Sequence, residues 1–275
     1  MATQASNPNP TQNADSVVEL KNVSISFDGL SVLEEISFRV APGETRIVLG
    51  PAGVGKSVLL KLVNGLLRPD NGSIRLFGQE ISLLPEDALF PLRDRTGMVF
   101  QEGALFDSLT VRDNVAYQLL EEGVEESEVD RQVRSALAFV ELEDTFSLYP
   151  ASLSGGMRRR VAIARALIHH PAFLLYDSPT GGLDPVTSTK IIELIAKERD
   201  ANRTPALLVT HRLQDAFTLC THRYDSESSR MVPLPSGETN PYTTFLLLND
   251  GRLIFDGTLP QLLHSNDRFV QEFLK

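Results

Sequence analysis

A chain of 275 residues, 42% of them hydrophobic, can bury one large core or two modest ones, so one globular unit with an inserted subdomain is expected. Its formal net charge of -10 argues against broad attraction to nucleic acid or anionic lipid and leaves small solutes or another protein as partners. The single cysteine, Cys220, excludes an internal disulfide, fits a reducing compartment and reads as a small buried hydrophobe.

Residues 1–16 have neither a basic start nor an apolar h-region, so they read as a disordered polar tail rather than a signal peptide, which places the protein in the cytoplasm. No apolar run approaches the roughly 18 to 20 residues that span a bilayer. The rest, 17–275, reads as one domain. From Val18, VELKNVSISF alternates through Leu20, Val23, Ile25 and Phe27, and EEISFRV repeats the pattern at Ile36, Phe38 and Val40, predicting half-buried antiparallel strands. TRIVLG, AFLLYD and PALLVT are instead short continuous apolar runs, as central parallel strands covered on both faces require. Helical stretches such as that from Ser57 separate them, giving an α/β core of the doubly wound kind over 17–100 and 171–275. Over 101–170 the strand signals vanish and helical spacing takes over, with Val129, Val133, Leu137 and Val140 on one face, so this is an inserted helical subdomain. Residues 223–242, polar and proline-bearing, read as a surface insertion, and TTFLLLNDGRLIFDG predicts a hairpin about Asn249, Asp250 and Gly251.

The run Gly50, Pro51, Ala52, Gly53, Val54, Gly55, Lys56, Ser57 fits G-x-x-x-x-G-K-[ST] between an apolar strand and a helical pattern that continues at Val58, the context of a phosphate-binding P-loop. Its glycines let backbone N–H groups wrap a polyphosphate at a helix N-terminus, Lys56 reaches the β- and γ-phosphates, and the Ser57 hydroxyl binds Mg²⁺. Asp177 ends an apolar strand, as a metal-binding carboxylate of such a site does. In SLSGGMRRRVAIARAL, Ser154 precedes Gly155, Gly156 and a helix, so it caps that helix while leaving backbone N–H groups for a second anion site. Arg158 to Arg160 read as the helix's solvated face, opposite Val161, Ala164 and Ile168.

With these residues in place the chain resembles the ATP-binding-cassette (ABC) family, whose signature usually reads LSGGQ; here Met157 takes the last position. Other stations follow in family order. Phe27 resembles the aromatic residue that stacks on adenine, with plain core packing as its alternative; Gln101 resembles the Q-loop glutamine, Gly181 to Asp184 the D-loop, and His211 the switch histidine. The resemblance implies a P-loop NTPase core sheet with an antiparallel β subdomain and an inserted α-helical subdomain. It also implies ATP and Mg²⁺ as cofactors and a head-to-tail dimer that sandwiches ATP between one P-loop and the partner's signature helix. On that reading Lys56, Gln101, Asp177, Ser178 and His211 are catalytic, Gln101 sensing the γ-phosphate or the metal and His211 hydrogen-bonding the γ-phosphate. Ser57, Gln101 and Asp177 serve the metal. Family members have glutamate where this chain has Ser178, and a hydroxyl cannot accept a proton near neutral pH, so normal ATP affinity with slow turnover is expected. Glu102 and Asp184 are the neighbouring carboxylates that could substitute.

Several stretches, FQEGALFDSLTVRDNVAYQL, GKSVLLKLVNGLLRPDNGSI and the terminal NDRFVQEFLK, are similar to the ATPase of Mla-type phospholipid transporters. That resemblance implies a homodimer docked on a permease of the MlaE kind at the cytoplasmic face of the inner membrane, with an MCE-domain substrate-binding protein beyond it and no nucleic acid partner. The alternative is a degenerate cassette whose ATP-gated dimerisation is the output and whose hydrolysis is incidental. A soluble cassette in DNA maintenance or cluster assembly is a third reading, and acidic charge without a coiled-coil insertion disfavours the DNA version.

Overall fold

Alternating apolar residues set the first two strands, β1 (Val18–Phe27) and β2 (Leu30–Val40), which pair antiparallel with Val18 opposite Val40 and Phe27 opposite Leu30 in a computed structural model that describes residues 16–275. Of the tail expected over 1–16, residues 1–15 lie outside the described residues. The chain continues through β3 (Thr45–Leu49), α1 (Lys56–Val63), β4 (Asn71–Leu76), β5 (Gln79–Glu80), α2 (Glu86–Arg93) and β6 (Thr96–Val99). Three helices follow, α3 (Val111–Glu121), α4 (Glu126–Phe139) and α5 (Gly155–Leu167), then β7 (Phe173–Asp177), α6 (Pro185–Asn202), β8 (Ala206–Val209) and α7 (Leu213–Thr221). The last elements are β9 (His222–Asp225), β10 (Arg230–Pro233), β11 (Thr243–Asn249), β12 (Arg252–Gly257), α8 (Leu259–Leu263) and α9 (Arg268–Phe273).

One sheet, ordered β2-β1-β4-β5, is antiparallel; the other, ordered β12-β11-β3-β8-β7-β6, is parallel except for β12. The three continuous apolar runs are β3, β7 and β8, and successive residues serve opposite cores. Ile47, Leu49, Leu174, Tyr176 and Leu208 face a core shared with α3 to α7, whereas Val48, Phe173, Leu175, Leu207 and Val209 face one shared with α1 and the antiparallel sheet. That division is why these strands show no polar alternation. Beyond their shared core, the two sheets are clasped at the β11–β12 turn, where Glu34 N–H donates to Gly251 O at 2.8 Å and Glu34 pairs with Arg252 at 2.6 Å. The expected hairpin at Asn249 to Gly251 is that turn.

Side chains fix the helical segment locally. Thr110 Oγ1 caps α3 by accepting from Asp113 N–H, and the fully buried Asn114 spans the loop before it, accepting from Phe106 N–H and donating to Phe106, Leu109 and Thr110 carbonyls. Cys220 is fully buried on α7, and burial pushes its thiol up to about 11. Among the described residues no helix is long and apolar enough to cross a membrane.

The segment read as a polar surface insertion contains a two-stranded hairpin, β9 with β10, fastened to α6 by that helix's charged residues. Asp200 Oδ2 accepts from Tyr224 N–H at 2.7 Å and Glu193 Oε1 from Met231 N–H at 2.8 Å. Arg199, only 4% exposed, donates to the carbonyls of Leu219 and His222 and pairs with Asp200. Removing one partner of such a buried set leaves the others unsatisfied, so Arg199→Ala should destabilise the fold by about 3 kcal/mol, read as a lower thermal unfolding midpoint.

Candidate functional site

Strand register decides which loops meet. Val48 lies beside Val209, Val209 beside Asp177 and Tyr176 beside Val99, so the segments starting at Gly50, Phe100, Ser178 and Thr210 all leave the carboxyl edge of one parallel sheet. Ligands of α/β sheets bind at that edge. It brings the P-loop, Gln101, Ser178 and His211 to one end of the molecule.

The P-loop turns from β3 into α1 through Gly55, at φ +100°, where an added Cβ would fall 2.8 Å from Leu33 Cδ2. Helix α1 has no side-chain cap, and the amides of residues 53–57 donate to no other described residue. Five bare donors at a helix start, with the dipole behind them, form a cradle suited to a polyphosphate. The buried Lys56 Nζ donates to Gly50 O at 2.8 Å and Pro51 O at 2.7 Å. Burial pulls the pKa of its ammonium down, and Asp177 counteracts this. Ser57 Oγ donates to Asp177 Oδ1 at 3.0 Å, and burial holds the Asp177 carboxyl above the usual range against that hydrogen bond. No cluster of three or more His, Cys, Asp or Glu side chains among the described residues could hold a metal alone. A hydroxyl and one carboxylate beside a phosphate cradle suit Mg²⁺, which is usually bound through one or two carboxylates and substrate phosphates.

Ser178 follows with φ +44°, left-handed for a residue with a side chain. Its N–H donates to Val209 O at 2.9 Å, its carbonyl accepts from Gly181 N–H at 2.8 Å, and its Oγ bonds to no other described residue. Gln101 is exposed and packs on the same loop, its Cγ 3.5 Å from where a Cβ on Gly181 would sit. His211 is exposed at the end of β8. Phe27 is 42% exposed at the tip of the β1–β2 hairpin, outside the core, and β2 reaches the P-loop through Val32 and Leu33 beside Gly55. Asp184 caps α6: its oxygens accept from the N–H groups of Val186 and Thr187 and from the Thr187 hydroxyl, which holds its pKa below the usual range.

Ser154 Oγ caps α5 by accepting from Met157 N–H at 3.2 Å, and Ser154 and Gly155 are exposed. Gly156 is pressed on α6, where a Cβ would fall 2.3 Å from Thr187 Cγ2. Among the described residues no hydrogen bond joins this cap to the P-loop of the same chain, so the fold presents two separate helix-start turns.

Two features escaped the sequence reading. The arginine triplet is not a solvated face: Arg159 is 5% exposed and lies against the carbonyls of Phe100, Ser178 and Gly181. The second is a lock between the loops after β7 and β8. There the buried Thr180 hydroxyl donates to Asp215, while Arg212 donates to Thr180 O at 3.3 Å and Ser188 Oγ at 2.7 Å. Neither had a local signal, since both depend on which loops the sheet brings together.

The ABC transporter family profile matches residues 33–181. The chain is 43% identical over 210 residues to the methionine import ATP-binding protein MetN of Rhizobium etli, a match covering 75% of this chain and 57% of that protein; for several other MetN relatives the covered share is 66%. It is 32% identical over 260 residues to the intermembrane phospholipid transport system ATP-binding protein MlaF of Haemophilus influenzae, covering 94% of this chain and 90% of that one. Among solved structures, the dimeric post-hydrolysis state of the ATP-binding cassette MJ0796 with ADP and Pi superposes with a TM-score of 0.73 at 28% identity, covering 88% of this chain and 98% of that one. The chain belongs to the ABC transporter family and has the fold of its ATP-binding cassettes.

Hydrogen bonds to charged groups contribute about 1.5–3 kcal/mol each, so Lys56→Met, which removes the ammonium expected to face the phosphates, should weaken ATP uptake roughly 100-fold, measured by titration calorimetry with Mg²⁺.

Proposed function

We propose that this chain is the ATP-hydrolysing, energy-coupling subunit of an Mla-type phospholipid transporter. On this reading two copies work head to tail on the cytoplasmic face of an MlaE-type permease, with an MCE-domain substrate-binding protein across the membrane. The observation that carries the reading is the nearly end-to-end match to MlaF, which leaves little of either chain unpaired. The higher identity to MetN favours methionine uptake as the second reading, although that match leaves over two fifths of the Rhizobium protein uncovered.

The bare amides of residues 53–57 and Lys56 hold the triphosphate, and Ser57 and Asp177, with Gln101 at hand, hold Mg²⁺. The metal, when bound, neutralises charge that develops on the transferred phosphoryl group. Because Ser154 to Gly156 lie apart from the P-loop of their own chain, a second copy supplies the capped helix that closes each site. Phe27 is free to lie against adenine, and His211 to reach the γ-phosphate.

Ser178 can orient water through its uncommitted hydroxyl but cannot take its proton. Phosphoryl transfer depends mainly on positioning and electrostatics, so hydrolysis proceeds slowly rather than stopping. Asp184 is committed to capping α6, whereas Glu102, exposed beside Gln101, is a nearby carboxylate with no hydrogen bond to another described residue.

A general base is worth about 10²–10⁴-fold, so Ser178→Glu should raise kcat by at least about tenfold, and Glu102→Gln should lower the residual rate of the unaltered chain. An unchanged kcat in Ser178→Glu would mean that another group already does this work. Copurification from membranes decides between transporter and clamp. A stoichiometric permease whose phospholipid, and not methionine, stimulates ATP turnover is expected. A solitary chain with long-lived ATP dimers and negligible turnover favours the clamp.

A further inference from the structure

None of these roles uses Arg159, a buried charge that lies against the Ser178 carbonyl. It lies on α5, five residues beyond the Ser154 cap, and is 5% exposed. Its Nη1 donates to Ser178 O at 3.2 Å and Phe100 O at 3.4 Å, and its Nη2 to Gly181 O at 3.5 Å. Glu102 and Asp177 act on it through space and form no hydrogen bond with it. Its neighbours differ in reach: Arg158 donates to Leu153 O on its own segment, and Arg160 to the Val140 and Glu141 carbonyls after α4. Of the three, only Arg159 reaches the loop after β7 among the described residues.

Burying a guanidinium on carbonyls alone is costly, and a core of this size could fill the position with an apolar side chain. The three carbonyls are informative. Phe100 immediately precedes Gln101, Ser178 is the residue in the glutamate position, and Gly181 opens the turn toward Asp184. Ser178 is held in its left-handed conformation partly by what its carbonyl accepts, from Gly181 N–H and from Arg159. Removing the arginine therefore frees one of two restraints on that carbonyl. It also cuts a direct polar tie between α5 and the Ser178 loop.

We infer that Arg159 is a positioning residue coupling the two nucleotide sites of the dimer: it makes α5, whose capped first turn addresses the nucleotide of the partner copy, move as one body with the Ser178 loop of its own chain. Closure on the partner's nucleotide then sets the water-orienting hydroxyl at the chain's own nucleotide. This rests on the head-to-tail dimer proposed above.

The test uses the full chain, Arg159→Gln, which keeps two donors but removes the charge and the reach, and Arg159→Lys, which keeps the charge. Five quantities are read: thermal midpoint, affinity of the single chain for a fluorescent ATP analogue at low protein concentration, ATP-dependent dimerisation by light scattering, and the kcat and Hill coefficient of ATP hydrolysis. The unaltered chain should dimerise with ATP and hydrolyse it with a Hill coefficient well above 1. In Arg159→Gln the single-chain affinity should stay within about twofold and the dimer should still form, but the Hill coefficient should fall to about 1 and kcat by about tenfold or more, with partial recovery in Arg159→Lys. A Hill coefficient kept in Arg159→Gln, or an affinity that falls in step with kcat, overturns the coupling role. If Arg159→Gln does not fold, Arg159→Lys decides by the same two readouts, an unaltered Hill coefficient overturning the proposal. An unaltered chain that dimerises with ATP yet hydrolyses it without cooperativity overturns the coupling alone. One that never dimerises with ATP removes the dimer reading itself.

Discussion

The parallel sheet buries both of its faces, and most of the molecule's arrangement follows from that constraint. With Ile47, Leu49 and Tyr176 committed to one core and Val48, Leu175 and Val209 to the other, no polar side chain of the sheet centre can find water except where a strand ends. Chemistry is thereby pushed to the carboxyl edge, where Lys56, Ser57, Asp177 and Ser178 are held by segments whose roots cannot shift independently. The rigidity of that platform lets a small set of hydrogen bonds, such as Ser57 to Asp177, define a site.

Much of this was readable in the chain itself. Short continuous apolar runs announced two-sided strands, alternating runs announced the antiparallel sheet, and the Gly50 to Ser57 pattern announced an anion cradle because it fell between a strand and a helix. The structure puts Gln101, Ser178 and His211 on one edge with that cradle and leaves Ser154 to Gly156 elsewhere. What could not be read was burial decided by distant segments. Arg159 belongs to a triplet that, counted by helical period against Val161, Ala164 and Ile168, faces outward; it is enclosed because the loops after β6 and β7 fold over that part of α5. The β9–β10 hairpin was illegible for a related reason. Its strands are four residues long, and it is fastened by Glu193, Arg199 and Asp200 of a helix more than twenty residues earlier in the sequence.

The loop at Ser178 shows how position and chemistry are traded. A left-handed serine is an unusual backbone choice, and it persists because its N–H and its carbonyl are both occupied by neighbours. The side chain is left free while the main chain is over-determined. Asp184 shows the reverse, a carboxylate whose oxygens are consumed in starting α6. Proximity to a site therefore says little about a group's capacity to act there; its remaining hydrogen-bonding valence says more.

The lone thiol on α7 gives the molecule an internal clock. Cys220 is sealed in the larger core, and its reluctance to ionise leaves almost no nucleophile at neutral pH even when a reagent penetrates. Alkylation must therefore wait until α7 lifts from the sheet. The pace at which a maleimide marks this one sulfur then reports how often the core breathes open, with no competing cysteine to blur the count.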